Sequence, residues 1–430
     1  MNFPLVKSLI QKYFKDASLI VSSQIIGAIV NLITLPIILS RLSINDFGSF
    51  QFALAIQSWL VLFTASNITL GAKRGIANNK EGTLLFAFFY RSRFFVAAAL
   101  INVLISIVLL YFNKETLGII SLIVSGYTLF GYLPQVSYAE YLVGKKDFKS
   151  FFAWQTTSSI IISVASLISA IATKNIFVFA AVQIGATILT NVLALIYIII
   201  KHNLYASYKN KEIDEGCKKY GLKLIPMEIL LGTSNQLSNF LIGPFLGLSS
   251  LAVFSIAAKM DTAFRGVLRV SYNLLYSDFA KEKYESLLEN IKKHLATIVL
   301  FSLFATLICL FIGVFYIKMF LPEDYSPAIS YIIIFVLAFP AFIIQSILRT
   351  AVDSGLRHKE VIFFTFFACF FRIGAMLILG YFFKIIGIVL ALALATWLEF
   401  ILYYLATINK EFFTKMLNEH TFISRIINKF

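Results

Sequence analysis

The sequence predicts an all-α membrane protein of twelve transmembrane helices, built as two six-helix bundles of the same orientation. Three observations carry this. First, the 430 residues are 59% hydrophobic and only 14% charged, with a mean hydropathy of +0.84, too little polar surface for a soluble chain of this size. Second, with the N-terminus inside, 26 Lys and Arg fall in the inner segments (counting Arg349, at the inner end of helix 10) and 5 in the outer loops, the remaining six lying within helices. That is the positive-inside bias, and it places both termini in the cytoplasm. It also assigns the formal charge of +15 to topology rather than to nucleic acid. Third, the halves repeat. Pro134 and Pro340 lie 206 residues apart, each in the fourth helix of its half, and Pro36 and Pro244 lie 208 apart, each near the end of a first helix. Equal orientation of the halves predicts a pseudo-twofold axis along the membrane normal, with a site between the bundles.

Asn2–Asp16 is a basic amphipathic lead. The apolar run after Lys15 has no A-x-A site and continues for a full span, so it reads as a first helix, about Ala17–Leu39, rather than a cleaved signal. Helix 2 is about Gly48–Leu70. Helix 3, about Leu84–Phe112, carries Arg91 and Arg93 in its first turns, where they are expected to snorkel. Helix 4 is about Leu117–Tyr138, broken by Pro134. Helices 5 and 6 are about Phe151–Ala172 and Ile176–Ile200.

The longest polar connection, Lys201–Lys223, holds six lysines and divides the chain into an N-terminal lobe (1–200), a cytoplasmic linker (201–223) and a C-terminal lobe with a basic tail (224–430). Helix 7 is about Leu224–Leu246, and helix 8 is about Leu251–Phe279. A mixed-charge loop, Lys281–Lys293, precedes helix 9, about Leu295–Ile317. Helices 10, 11 and 12 are about Ala328–Ala351, Val361–Phe383 and Ile385–Ile408.

Charges inside spans mark candidate function, because a charge near the bilayer centre costs at least ~2.5–3.5 kcal/mol. Helix 8 carries four: Lys259, Asp261, Arg265 and Arg269. Asp261, Arg265 and Arg269 follow at i, i+4 and i+8 and share a face, whereas Lys259 points about 120° away from Arg265. An Asp261–Arg265 pair neutralises itself and leaves Lys259 and Arg269 in excess. At the 206 offset these four correspond to Ala53, Ala55, Trp59 and Phe63, so one bundle presents charge where the other presents apolar surface. That asymmetry suits an anionic amphiphile, with Arg and Lys as phosphate partners. Arg372 and Glu399 stand midway along adjacent helices and are expected to pair, as a structural or a functional bridge. Glu228 and Asp353 lie nearer the cytoplasmic end, as coupling carboxylates or as interfacial ones. Cys217, Cys309 and Cys369 have no paired spacing, and there is no HExxH, Walker loop or GxSxG, so neither disulfide, metal, cofactor nor enzyme active site is expected.

Three stretches carry a family resemblance: LPIILSRLSINDFGSFQFA (Leu35–Ala53), YLVGKKDFKSFF (Tyr141–Phe152) and FLIGPFLGLSSLAVFSIAAKM (Phe240–Met260). They resemble the polysaccharide flippases of the multidrug/oligosaccharidyl-lipid/polysaccharide exporter superfamily, of the Wzx or O-antigen type. The resemblance implies a V-shaped two-lobed fold with a central cavity. It implies transfer of an undecaprenyl-diphosphate-linked oligosaccharide repeat unit across the bacterial inner membrane by alternating access. Lys259, Arg265, Arg269 and Arg372 are then the substrate-binding set, with Asp261, Glu399 and Glu228 supporting or coupling. The expected partners are the bilayer and the lipid-linked glycan, with a polysaccharide polymerase, a chain-length regulator and H+ or Na+ as further candidates. The rival readings are a drug or cation antiporter of the same superfamily, which favours an acidic cavity, and a membrane glycosyltransferase or polymerase, which needs a large catalytic loop.

Overall fold

The computed structural model describes residues 4–279, 284–354 and 358–408, and within them every regular element is helical. The chain is a multi-pass membrane protein. Nine stretches among the described residues are long and apolar enough to cross a bilayer. The last of these, Phe363–Thr407, is 45 residues long and turns at Lys384, where φ 52° and ψ −131° break the helix into two passes. Two further helices, Ile225–Leu246 and Leu248–Phe279, have 22 and 32 residues, long enough to span. Together these make the expected twelve. The first six spans are α1 (Pro4–Leu39), α2 (Ile44–Val61), α4 (Thr83–Tyr111), α5 with α6 (Glu115–Tyr127 and Leu133–Gly144), α7 (Phe148–Thr173) and α8 (Ile176–Lys201). Between α2 and α4 lies the short α3 (Asn67–Ala77). The second six are α11 (Ile225–Leu246), α12 (Leu248–Phe279), α13 (Tyr284–Phe320), α14 with α15 (Ala328–Leu337 and Phe339–Ser354), and the two limbs of α16 (His358–Ile408).

Local chemistry sets several of the starts. Ser43 caps α2, its Oγ accepting from the Asp46 N–H at 3.1 Å. Asp147 caps α7, accepting from the Ser150 N–H at 3.1 Å and its hydroxyl at 2.7 Å. Asn175 caps α8 through the Phe177 N–H at 2.8 Å. The repeated prolines mark matching breaks. Pro134 opens α6 after a five-residue π segment, Thr128–Tyr132, and Pro340 opens α15 directly after α14 ends.

Three expectations are corrected, and the 201–223 linker gains internal helices. Helix 2 does not run to Leu70: α2 ends at Val61, a 3-10 turn follows at Leu62–Thr64, and Ala65 adopts the left-handed conformation (φ 53°) before α3 begins. The 201–223 connection is not simply a loop, since it folds α9 (Leu204–Lys209) and α10 (Gly216–Lys223). Tyr284–Phe320 is one helix, so the expected loop before Leu295 is helical from Tyr284. Arg91 does not snorkel, as described below.

The chain forms two compact units, Met1–Ala252 and Val253–Phe430, with the boundary inside α12. In the first unit, α2 and the 3-10 turn that follows it run antiparallel to α11, as far as Asn67 at the start of α3. Gly48 meets the Leu248 backbone, Phe52 meets Gly243, Trp59 Nε1 donates to Thr233 Oγ1 at 3.1 Å, Leu62 meets Gly232, and Asn67 Nδ2 donates to Glu228 at 2.9 Å. One number rises as the other falls. Small residues let the two backbones approach, the usual device where lipid gives helices no hydrophobic drive to associate. α10 is seated on α3 in the same way: a side chain at Gly71 would strike Cys217, and one at Gly221 would strike Ile68. In the second unit, α15 packs between α13 and α16, around Phe339, Phe342, Ile343 and Leu348.

Candidate functional site: two bridged ion pairs and a buried arginine

In the second unit, α12, α15 and α16 bring four of the seven candidate residues to one structure. Arg265 donates from Nε to both Asp261 oxygens at 2.8 Å, the i, i+4 pair that helical spacing predicts. Its guanidinium lies over the Phe342 ring, 4.6 Å from the centroid. One turn along α15, Gln345 Nε2 donates to Glu399 Oε2 at 2.6 Å, and Glu399 Oε1 accepts from Arg372 Nη2 at 2.9 Å. The expected Arg372–Glu399 pair is therefore present. Phe342 and Gln345, three residues apart and on one face, hold one ion pair each. Both pairs are mostly shielded, with side-chain exposures between 14% and 19%. Ion pairs at such depth are held only where further hydrogen bonds complete them, and the Gln345 amide does this for Glu399.

Lys259 lies two residues before Asp261 and is exposed, although residues Leu251–Ala257 just before it are buried. The side chain of Arg269 lies outside the described residues, as does that of Asp353. Glu228 is separate from this group. It sits in the first turn of α11, in the first unit, and is half-buried against Asn67. Of the residues facing the helix 8 charges in the repeat, Ala53 and Ala55 are buried, and Trp59 is committed to α11 through Thr233 and Phe240.

The sequence reading missed two residues. Gln345 carried no signal beyond being one polar residue in an apolar span. Arg91 carried a misleading one. It stands two turns into α4 but is fully buried, donating from Nε to the Thr64 carbonyl at 3.2 Å and lying 5.1 Å from the Phe95 ring centroid. Neither Nη has a hydrogen-bond partner within the protein. The carbonyl it holds belongs to the 3-10 turn where α2 stops, a break that the sequence did not reveal.

One rim of the first unit gathers the ends of α3, α6, α8 and α9. Glu81 pairs with Lys145 and accepts from the Tyr141 hydroxyl, and the His202 ring lies 5.1 Å from that of Tyr141. Asp147 is 3.5 Å from Lys201. Burial pushes the Glu81 carboxyl up, but the bonds and charge of Lys145 and the Tyr141 bond outweigh it, so it sits below the usual range. Asp147 is lowered in the same way, by Ser150 and Lys201 acting against burial. Burial, with Lys201 and Lys145, lowers the His202 imidazole.

Twelve helical spans among the described residues, with the ion pairs Asp261–Arg265 and Arg372–Glu399 inside them, define a polytopic helical membrane protein. Residues 13–276 match the family model of the polysaccharide biosynthesis proteins, more than half of the chain, and the protein belongs to that family. Solved structures give the fold. The eukaryotic MATE transporter AtDTX14 matches with TM-score 0.64 at 14% identity, over 96% of this chain and 100% of that one. The Vibrio cholerae MATE transporter VcmN in its bent form matches with TM-score 0.55 at 13% identity, over 97% and 99%. An inward-facing multidrug resistance MATE family transporter of the MOP superfamily matches with TM-score 0.57 at 13% identity, over 94% and 99%. No curated protein sequence matches the chain significantly.

Proposed function

We propose that the protein is a flippase for an undecaprenyl-diphosphate-linked oligosaccharide repeat unit, moving it from the cytoplasmic to the periplasmic leaflet by alternating access, for O-antigen or a related surface polysaccharide. It works in the bacterial inner membrane with both termini cytoplasmic, and it catalyses no covalent chemistry. One observation carries the reading: a single span-length helix, Leu248–Phe279, carries three basic residues, Lys259, Arg265 and Arg269, against one acidic residue, Asp261, along its membrane-spanning part. An excess of basic groups within one span suits an anionic ligand, and a diphosphate headgroup is one. Arg265, Arg269 and Arg372 extend the basic set, and Asp261 and Glu399 hold Arg265 and Arg372 in place. Membership of the polysaccharide biosynthesis family supports the substrate class.

The test is surface polysaccharide in cells carrying Lys259→Ala, Arg265→Ala or Arg269→Ala at normal expression. Export falls in each on this reading, and unchanged polysaccharide in all three would sink it.

A second reading, drug or cation antiport, draws on the multidrug transporters among the solved structures of this fold. It makes a deletion strain drug-sensitive with its surface polysaccharide intact, the opposite of what a flippase gives.

A further inference from the structure

The seam of α2 with α11 has two edges of opposite chemistry. Gly48, Ala55 and Leu62 follow at helical spacing along the middle of α2, and Leu62 meets Gly232 of α11. To one side stand Phe52 and Trp59, which meet Phe240 and Thr233. Gln51 and Ser58 each come one residue earlier, about 100° round the helix, and so fall on the other side of that line. Asn239 precedes Phe240 in the same way on α11. The antiparallel register set by Leu62 on Gly232 brings Ser58 level with Gln236, and Ala55 level with Asn239. The aromatic edge carries packing. The amide edge holds Gln51, Ser58, Gln236 and Asn239, the last two midway along the 22-residue α11.

Amides between membrane helices ordinarily bond across the interface and hold it together. Here they do not. Among the described residues, the hydrogen bonds that cross this seam are Trp59 to Thr233 and Asn67 to Glu228, and neither uses the amide edge. Asn239 Nδ2 donates to Gln236 Oε1 at 2.8 Å, within α11. That bond leaves the Asn239 oxygen as an acceptor and the Gln236 nitrogen as a donor. Ser58 Oγ turns to Gln57, within α2, at 3.5 Å. Gln51 Nε2 is enclosed and has no hydrogen-bond partner within the protein. All four side chains are half-buried, so each reaches an open face. An unspent amide inside a span is costly unless a polar ligand or water meets it.

The chemistry of the edge selects the ligand. A carboxamide donates and accepts at once, as sugar hydroxyl and acetamido groups do. The edge is also uncharged. Asp46, at the start of α2, and Glu228, in the first turn of α11, are the acidic residues of these two helices, and neither helix has a basic one. A carboxylate brought to this edge would lose water and find no counter-ion.

We propose that the amide edge binds the sugar part of the substrate, with Gln51, Gln236 and Asn239 hydrogen-bonding hydroxyl and acetamido groups of a neutral glycan. From Gln51 to Ser58 the edge is about 10 Å long, more than one sugar ring. This inference rests on the flippase reading, in which basic groups elsewhere take the diphosphate. The edge then decides which glycan is carried, and the basic groups decide whether the carrier binds.

The experiment titrates the purified full chain in detergent with three lipids: undecaprenyl diphosphate, the same carrier bearing one N-acetylhexosamine, and the carrier bearing one hexuronic acid. The native chain is expected to bind the N-acetylhexosamine lipid about tenfold tighter than the bare carrier, the effect of one or two net hydrogen bonds. The hexuronic acid lipid gains nothing over the bare carrier. Gln51→Met and Asn239→Leu, each close to the native volume, reduce the preference to below about threefold and leave bare-carrier affinity within about twofold. Ser137→Ala, at a buried hydroxyl already bonded to the Leu133 carbonyl at 2.7 Å, is the control and keeps the preference. Should Asn239→Leu fail to fold, Gln51→Met carries the test. Equal binding of bare and sugar-bearing carrier by the native chain overturns the inference and leaves the flippase reading standing. So does a preference that survives in the variants or extends to the hexuronic acid. Binding of none of the three lipids overturns the flippase reading, and this inference with it.

Discussion

Gln345 donates to Glu399 at 2.6 Å on the carboxylate oxygen that Arg372 leaves open. Arg372 and Gln345 thus divide one buried carboxylate between them, and the pair is complete only with three residues from three passes.

Removing one partner of that arrangement strands the other. Glu399→Ala is expected to destabilise the protein by about 3 kcal/mol, because Arg372 is left as a shielded charge without its counter-ion. The double variant Arg372→Met with Glu399→Leu should recover most of the loss. Thermal unfolding in detergent checks both, and equal destabilisation by the single and double variants contradicts the pairing.

Arg265 differs from a point charge in its geometry. It meets both oxygens of Asp261 and stacks on Phe342, so Arg265→Lys keeps the charge but loses the fork and the ring contact. On the proposed flippase reading, export is expected to fall with Arg265→Lys nearly as far as with Arg265→Ala. Full activity in the lysine variant would show that charge alone is read there.

The antiparallel seam of α2 with α11 predicts a graded response to added methyl groups. At Gly48 a Cβ collides with the backbone carbonyl of Leu248, which has no way to move aside, so Gly48→Ala should lower Tm sharply. At Gly232 the collision is with the end of the Leu62 side chain, which can change rotamer, so Gly232→Ala should be milder. The reverse order would mean that α2 and α11 do not meet in this register.

Acid should loosen the rim in two stages. His202 has a lowered folded-state pKa, so its contribution is present above the ordinary value of 6.5 and is lost as pH falls through the folded value. The lowered carboxyls of Glu81 and Asp147 contribute above their ordinary values of 4.5 and 3.8, and that is lost only as pH falls further. All three lose stability in the same direction. Tm measured against pH should begin to drop below 6.5, and His202→Gln should flatten that first stage while Glu81→Gln flattens the second. A Tm independent of pH down to about 5 in the native chain contradicts the role of His202.

The number of spans, their order and the matching prolines were legible in the sequence because they depend on local properties. Apolar length sets a span, and the helix breaks next to Pro134 and Pro340 follow from a residue that cannot donate a backbone hydrogen bond. The Asp261–Arg265 pair was legible for the same reason, since i, i+4 spacing on a helix settles it. Arg372–Glu399 was legible from depth alone.

Other features depended on which surfaces meet. Only the packing of α2, α4 and α11 decided that Arg91 is buried rather than snorkelled, because its partner is the carbonyl of a 3-10 turn whose residues, Leu62–Thr64, read as continuous helix. Only α15, placed against both α12 and α16, decided that Phe342 and Gln345 link two ion pairs distant in the chain. Gln51 and Asn239 likewise looked like isolated polar residues until the register of α2 on α11 put them on one edge of a seam. Hydropathy records how much of each residue type a span contains. Which polar atoms lose water and which find partners is fixed by the close approach of helices, and that is a property of the tertiary structure.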